Sequence, residues 1–231
     1  MSNQAETKRL LKNALKRKDL RGYNEAVGGL GLPSKMPGVA YGISAKRCGV
    51  GGKLAKHPGS VCHGCYAMKN NYTYPSVMAA HEKRWDALQD LWAWTDNMCH
   101  LLQRLGTTLP DGQRFFRWHD SGDVQGTEHL HAIVQVAVRN PEWQFWLPTK
   151  EYGIVKAHAK FWYIPGNLTI RVSAPVIGQE PPAIWGNMEI VTSTVEHAGT
   201  RQCPARNQKN ECGSCRACWD SGVANINYPL H

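Results

Sequence analysis

Between residues 39 and 194, short apolar and aromatic runs of strand length alternate with helix-like stretches. VAYGIS (39–44) is the first such run, and RFFRWH (114–119), EWQFWLP (142–148), NLTIRVSA (167–174) and MEIVTST (188–194) follow. Helical patterns separate the middle members, over 128–139 and 151–161. Strands alternating with helices form βαβ units, and those build a parallel sheet. Five strands are too few for a closed eight-stranded barrel, which typically takes about 250 residues. The expected fold class is therefore α/β: a partial, open β/α barrel with parallel strands and a C-terminal cysteine-cluster extension. Chemistry in such folds sits at the C-terminal ends of the strands.

The flanks divide the chain further. An amphipathic helix over 5–20 leads into a Gly/Pro-rich connector, so residues 1–38 read as a basic N-terminal helix and linker. The partial barrel then occupies 39–195, and 196–231 forms a cysteine-rich tail. A long helix is expected over 77–105. No run of about 18 apolar residues occurs, which argues against a membrane span, and the N-terminus lacks the apolar region of a secretory signal. The expected location is the cytoplasm, where clustered cysteines indicate metal more often than disulfides.

Seven of the eight cysteines fall into two groups. Cys48, Cys62 and Cys65 form one, and Cys203, Cys212, Cys215 and Cys218 the other. Three thiolates can hold a 4Fe–4S cubane with one iron open, whereas four close it. Zinc is the alternative at the first group, with His57 or His63 as fourth ligand. In the second group the triplet Cys212, Cys215 and Cys218 overlaps, so the middle residue would serve two zinc knuckles. A cubane avoids that conflict because each thiolate takes its own iron, and Pro204 follows the outlying Cys203 as in ferredoxin runs. One or two 4Fe–4S clusters are therefore expected, with zinc as alternative. Cys99 stands alone and reads as a small core residue.

Polar groups gather at two predicted strand ends. His119, Asp120, Ser121, Gly122 and Asp123 follow the second strand, and Thr149, Lys150 and Glu151 follow the third. His119 and Asp120 are candidates for acid–base work or substrate contact, and Lys150 for an anion. The competing reading is a hydrogen-bonded turn and a solvated lysine. Arg171 lies mid-strand and, if it faces inward, needs a partner such as Asp123. Trp118 and Trp146 are candidates to stack a base, although core packing is the plainer role. His129 and His131 are expected on a helix surface.

A cysteine loop after the first strand and Ser121-Gly122-Asp123 after the second together resemble the radical S-adenosylmethionine enzymes. That resemblance implies that Cys48, Cys62 and Cys65 hold the cluster, and that Ser121, Gly122 and Asp123 lie near the methionine amine. It also implies Ser173 near the ribose. The first cysteine gap is thirteen residues, where that class commonly has three. The motifs CHGCY, FRWHDSGD and CGSCRACW also resemble a phage and plasmid family called gene product eighty-eight.

Two functions follow. The first is an enzyme cleaving S-adenosylmethionine reductively to begin radical chemistry, served by a reductant. The second is a metal-stapled nucleic-acid-binding protein. The net charge of +9 favours an anionic partner, and residues 1–21 carry seven basic against two acidic side chains. Lys46, Arg47, Lys53 and Lys56 add to this within the cysteine loop.

Overall fold

The computed structural model describes residues 4–181, 190–198 and 201–230. Its sheet has six strands: β1 (Val39–Tyr41), β2 (Phe115–Trp118), β3 (Gln144–Thr149), β4 (Leu168–Ser173), β5 (Val191–Val195) and β6 (Asn225–Tyr228). They lie in chain order, every neighbouring pair is parallel, and the sheet does not close. The fold is thus the expected partial, open β/α barrel. All five expected strands are present, although residues 188 and 189 of the last run lie outside the described residues.

Parallel neighbours need long crossovers. Helices α3 (Val50–Leu54), α4 (Pro75–Ala87) and α5 (Leu91–Gly106) lie between β1 and β2. Helix α6 (Thr127–Val138) links β2 to β3, and α7 (Tyr152–Ala159) links β3 to β4. The crossover from β5 to β6 is the four-cysteine segment itself. The extension expected after residue 195 therefore contributes a strand of its own, paired with β5 from Thr192–Asn225 to Val195–Tyr228.

Two expected helices divide. The stretch over 77–105 breaks at Leu88, and Asp90 restarts it by accepting a 3.0 Å hydrogen bond from the Ala93 amide. The N-terminal stretch is α1 (Gln4–Ala14) and α2 (Lys18–Ala26), so helix extends into the predicted connector.

The two faces of the sheet have different chemistry. On one, Phe116, Trp118, Phe145, Leu147, Ile170 and Val172 meet the helices in a continuous apolar core. Alternation along the strands sends Phe115, Arg117, Trp146, Thr169 and Arg171 to the other face. There the tail covers them. Trp219 packs edge-on against Phe115 and Trp146 and donates to the Phe116 carbonyl at 2.9 Å. Thr169 donates to the Trp219 carbonyl at 2.9 Å.

Arg171 faces inward, but its partner is not Asp123. Its guanidinium donates to the backbone carbonyls of Thr192, Ala217, Asp220 and Val223 at 2.8–3.2 Å. Trp118 is fully buried among aromatic neighbours, and Trp146 lies under Arg117 with only 6% exposure, so both serve packing. His129, expected on the surface, is buried against Trp94. Cys99 is buried in the apolar core, as its isolation implied.

Candidate functional site

The chain leaves β1 at Tyr41 and enters the three-cysteine loop within a few residues. Close backbone contact seats that loop on the end of β2. Gly122 has φ +75°, and a Cβ there would stand 2.5 Å from the Ile43 side chain. Ile43 donates its amide to the Ser121 carbonyl at 3.0 Å. Only glycine permits this approach.

The three thiols converge. A Cβ placed on Gly51 would stand 3.6 Å from the Cys62 sulfur and 3.7 Å from that of Cys48. Cys65 lies near enough for its charge to act on both. Burial, with Asp123 and the other two cysteines adding negative charge, pushes the Cys48 thiol up to about 12. Burial raises Cys62 as well, and the Lys150 ammonium opposes that shift. Burial thus favours the protonated thiols, and a metal bound there would favour the thiolates instead. All eight cysteines are free. Among the described residues, no three His, Cys, Asp or Glu side chains are spaced to hold a single metal ion.

Two buried carboxylates join the loop to the strand ends. Glu151 accepts hydrogen bonds from the amides of Gly49 (3.0 Å) and Val50 (2.8 Å), directly after Cys48. A side chain at residue 49 would crowd that carboxylate, since its Cβ would lie 3.0 Å from the Glu151 oxygen. The Glu151 amide in turn donates to the Thr149 hydroxyl at 3.0 Å. Asp123 Oδ1 accepts from the Thr149 hydroxyl (2.6 Å) and the Val124 amide (2.8 Å), and Oδ2 from the Lys150 amide (2.9 Å). A carboxylate has about four acceptor positions, so one is left on Oδ2. Burial raises the Asp123 carboxyl to about 6 despite these donors.

Asp123, Lys150 and the three cysteines therefore gather as the sequence predicted. Ser173 lies at the end of β4, where its hydroxyl accepts from Ser193 at 3.1 Å. His119 is placed differently. It has φ +52°, its ring packs edge-on against His129 at 5.4 Å, and neither ring nitrogen has a hydrogen-bond partner among the described residues. Burial, with His129 alongside, holds its pKa well below the usual imidazole value. Asp120 turns toward the Arg84 and Arg117 charges, and its carbonyl accepts from the Tyr66 (2.8 Å) and Tyr72 (3.4 Å) hydroxyls. The Ser121 hydroxyl is buried without a partner among the described residues.

The second cysteine group lies against the opposite part of the sheet. Cys203 donates its amide to the Asn227 carbonyl and Cys212 to that of Lys35, each at 2.8 Å. Cys218 lies 3.2 Å from the Tyr228 hydroxyl, and burial raises its thiol to about 12. Cys203, Cys212 and Cys215 are close enough to act on one another's charge.

Comparison with known families bears on the whole of this arrangement. A family model described as Gene product 88 matches residues 3–221, which takes in both cysteine groups and the strand-end motifs. The chain belongs to this family. No curated protein matches the chain, and no solved structure does. Within this family member, the Glu151 clamp and the buried Arg171 are the features that strand-end reading alone does not disclose. Glu151 was visible only as a polar residue following a strand, and its partners lie about a hundred residues away.

Proposed function

We propose that this protein is an iron–sulfur enzyme of the radical S-adenosylmethionine type. The observation that carries the reading is the convergence of Cys48, Cys62 and Cys65 on the loop after β1, clamped by Glu151 beside Asp123, in an all-parallel open sheet. The donor set fits a thiolate-bound group: three converging thiols, one cation (Lys150) near Cys62, and burial that disfavours bare thiolates. A 4Fe–4S cluster, when bound, supplies the electron that cleaves the sulfonium of S-adenosylmethionine, and the resulting deoxyadenosyl radical abstracts hydrogen from a substrate.

The chain's own residues would position and seal. Cys48, Cys62 and Cys65 would hold the cluster. The remaining Oδ2 position of Asp123 would receive the methionine amine, with Gly122, packed against Ile43, seating the cysteine loop beside it. Ser173 would face the ribose, its proton free to donate once Ser193 donates to it. Lys150 would meet an anionic group of cofactor or substrate. No proton-transfer role falls to His119, whose ring is sealed against His129.

In the tail, Cys203, Cys212, Cys215 and Cys218 would hold a second cluster. The deciding experiment measures iron, zinc and acid-labile sulfide in anaerobically purified protein. About eight irons and eight sulfides per chain are expected, with S-adenosylmethionine cleavage on reduction that Cys65→Ala abolishes. Zinc without sulfide, persisting after anaerobic reconstitution, would overturn the reading.

A further inference from the structure

The rim of the three-cysteine loop has a surface chemistry of its own. From residue 44 to residue 81 the chain carries Lys46, Arg47, Lys53, Lys56 and Lys69 and no aspartate or glutamate. Arg47 is paired with Glu82 at 2.6 Å, while the four lysines are exposed and have no carboxylate partner among the described residues. The same rim exposes large apolar side chains: Tyr66 (37%), Met68 (46%), Tyr74 (56%) and Met78 (43%). Lys46, Met68 and Met78 share a cleft of about 110 Å³ with Tyr72, His81 and Glu82, whose carboxylate is the one paired with Arg47.

We infer that this rim binds single-stranded nucleic acid and presents it to the three-cysteine site. Unpaired lysines track phosphates, exposed tyrosines offer flat faces on which unpaired bases stack, and the methionines add polarizable apolar contact. The other exposed aromatic patch, with Trp92 and Trp162, borders a cavity whose lining has Asp96 paired with Arg139, the carboxylate of Glu128, and no lysine. At the N-terminus, Arg9, Arg17 and Arg21 are engaged by Glu6, Asp19 and Glu25. The rim's one carboxylate in that cleft, Glu82, is neutralised by Arg47, and four exposed lysines remain to meet a polyanion. This names a substrate class for the proposed reaction and rests on that reading only for what happens after binding.

The test is fluorescence anisotropy with labelled oligo(dU) and oligo(U) of about 20 nucleotides, using full-length protein. Lys46→Glu with Lys69→Glu should weaken binding at least tenfold and flatten the log–log salt slope by about 1.4. Tyr74→Ala should weaken it about tenfold with the slope unchanged. Lys12→Glu, Lys16→Glu and Lys18→Glu together should change it less than about twofold. Tighter binding of one oligomer than the other assigns the sugar and supports the inference equally. Failure to bind either strand would overturn it and leave an acidic protein as the occupant, as would loss of binding confined to the N-terminal variant. Failure of S-adenosylmethionine cleavage leaves these binding results standing, whereas cleavage without strand binding removes only the substrate class.

Discussion

The three-cysteine loop and the four-cysteine crossover carry similar ligands but are held by different forces. The loop sits at the strand ends on polar contacts: a carboxylate gripping two amides, a threonine linking the Asp123 carboxylate to the Glu151 amide, and glycine-tight backbone approach. Its rim is exposed. The crossover is held by burial, with Trp219 between Phe115 and Trp146 and with Arg171 capping four carbonyls. Polar clamps fix a position while leaving the surface accessible. Apolar plugging fixes the sheet through Trp219 and Ala217 while the four cysteines beside it stay partly exposed. The contrast supports the proposal that the loop carries the chemistry, and it leaves the crossover holding the open sheet together.

The largest effect should come from unplugging the crossover. Trp219→Ala removes a nearly fully buried indole, and substitutions of that kind cost about 3–5 kcal/mol. Denaturant unfolding should record that loss, and amides of β6 should exchange faster than those of β3. A cost under about 1 kcal/mol would show that the tail is peripheral. Arg171→Met comes next, at about 3 kcal/mol, because four carbonyls lose a charged donor in an interior that offers no replacement. A neutral result would mean that water reaches them.

The sheet was legible because period-two apolar runs do not depend on distant partners. The exception was β6: NINY carries two asparagines and follows the Asp220-Ser221-Gly222 turn, so its strand character comes from pairing with β5. The cysteine groups and Asp123 were legible through spacing and strand-end position. Arg171 was ambiguous for a physical reason. A buried cation ordinarily calls for a carboxylate, and nothing local announces that carbonyls of a segment some fifty residues later will serve instead. The burial of His119, at φ +52° with its ring against His129, is not announced by its neighbours in sequence.

The polar clamp at the loop should respond to pH in a defined direction. Burial raises the folded carboxyl of Asp123 to about 6, above the unfolded value of about 3.9. Below about pH 4 both states hold the proton. As pH rises from there, the unfolded state ionises first, so Asp123's contribution is lost by about pH 6, roughly 2–3 kcal/mol in all. His119 and His129 act oppositely. Burial lowers both, His129 to about 4, so their contribution is present above about 6.5 and is lost on acidification. Comparing wild type with Asp123→Asn cancels the histidines. Acidification from pH 7 to 4 should favour wild type by about 2–3 kcal/mol relative to the variant, and a constant difference would contradict the burial of Asp123.

The smallest effect sharpens the comparison most. Glu151→Gln keeps the size of the side chain but removes the charge that accepts from Gly49 and Val50. Charge-assisted hydrogen bonds are about twice as strong as neutral ones, so the loss should be about 1–2 kcal/mol. It should also be local. Hydrogen exchange at the Gly49 and Val50 amides should rise about tenfold, and Cys48 should react faster with alkylating reagents. Amides of β6, on the far edge of the sheet, should not change. If β6 loosened as well, the clamp and the plug would be one cooperative unit, and the division of labour between the two cysteine regions would fail.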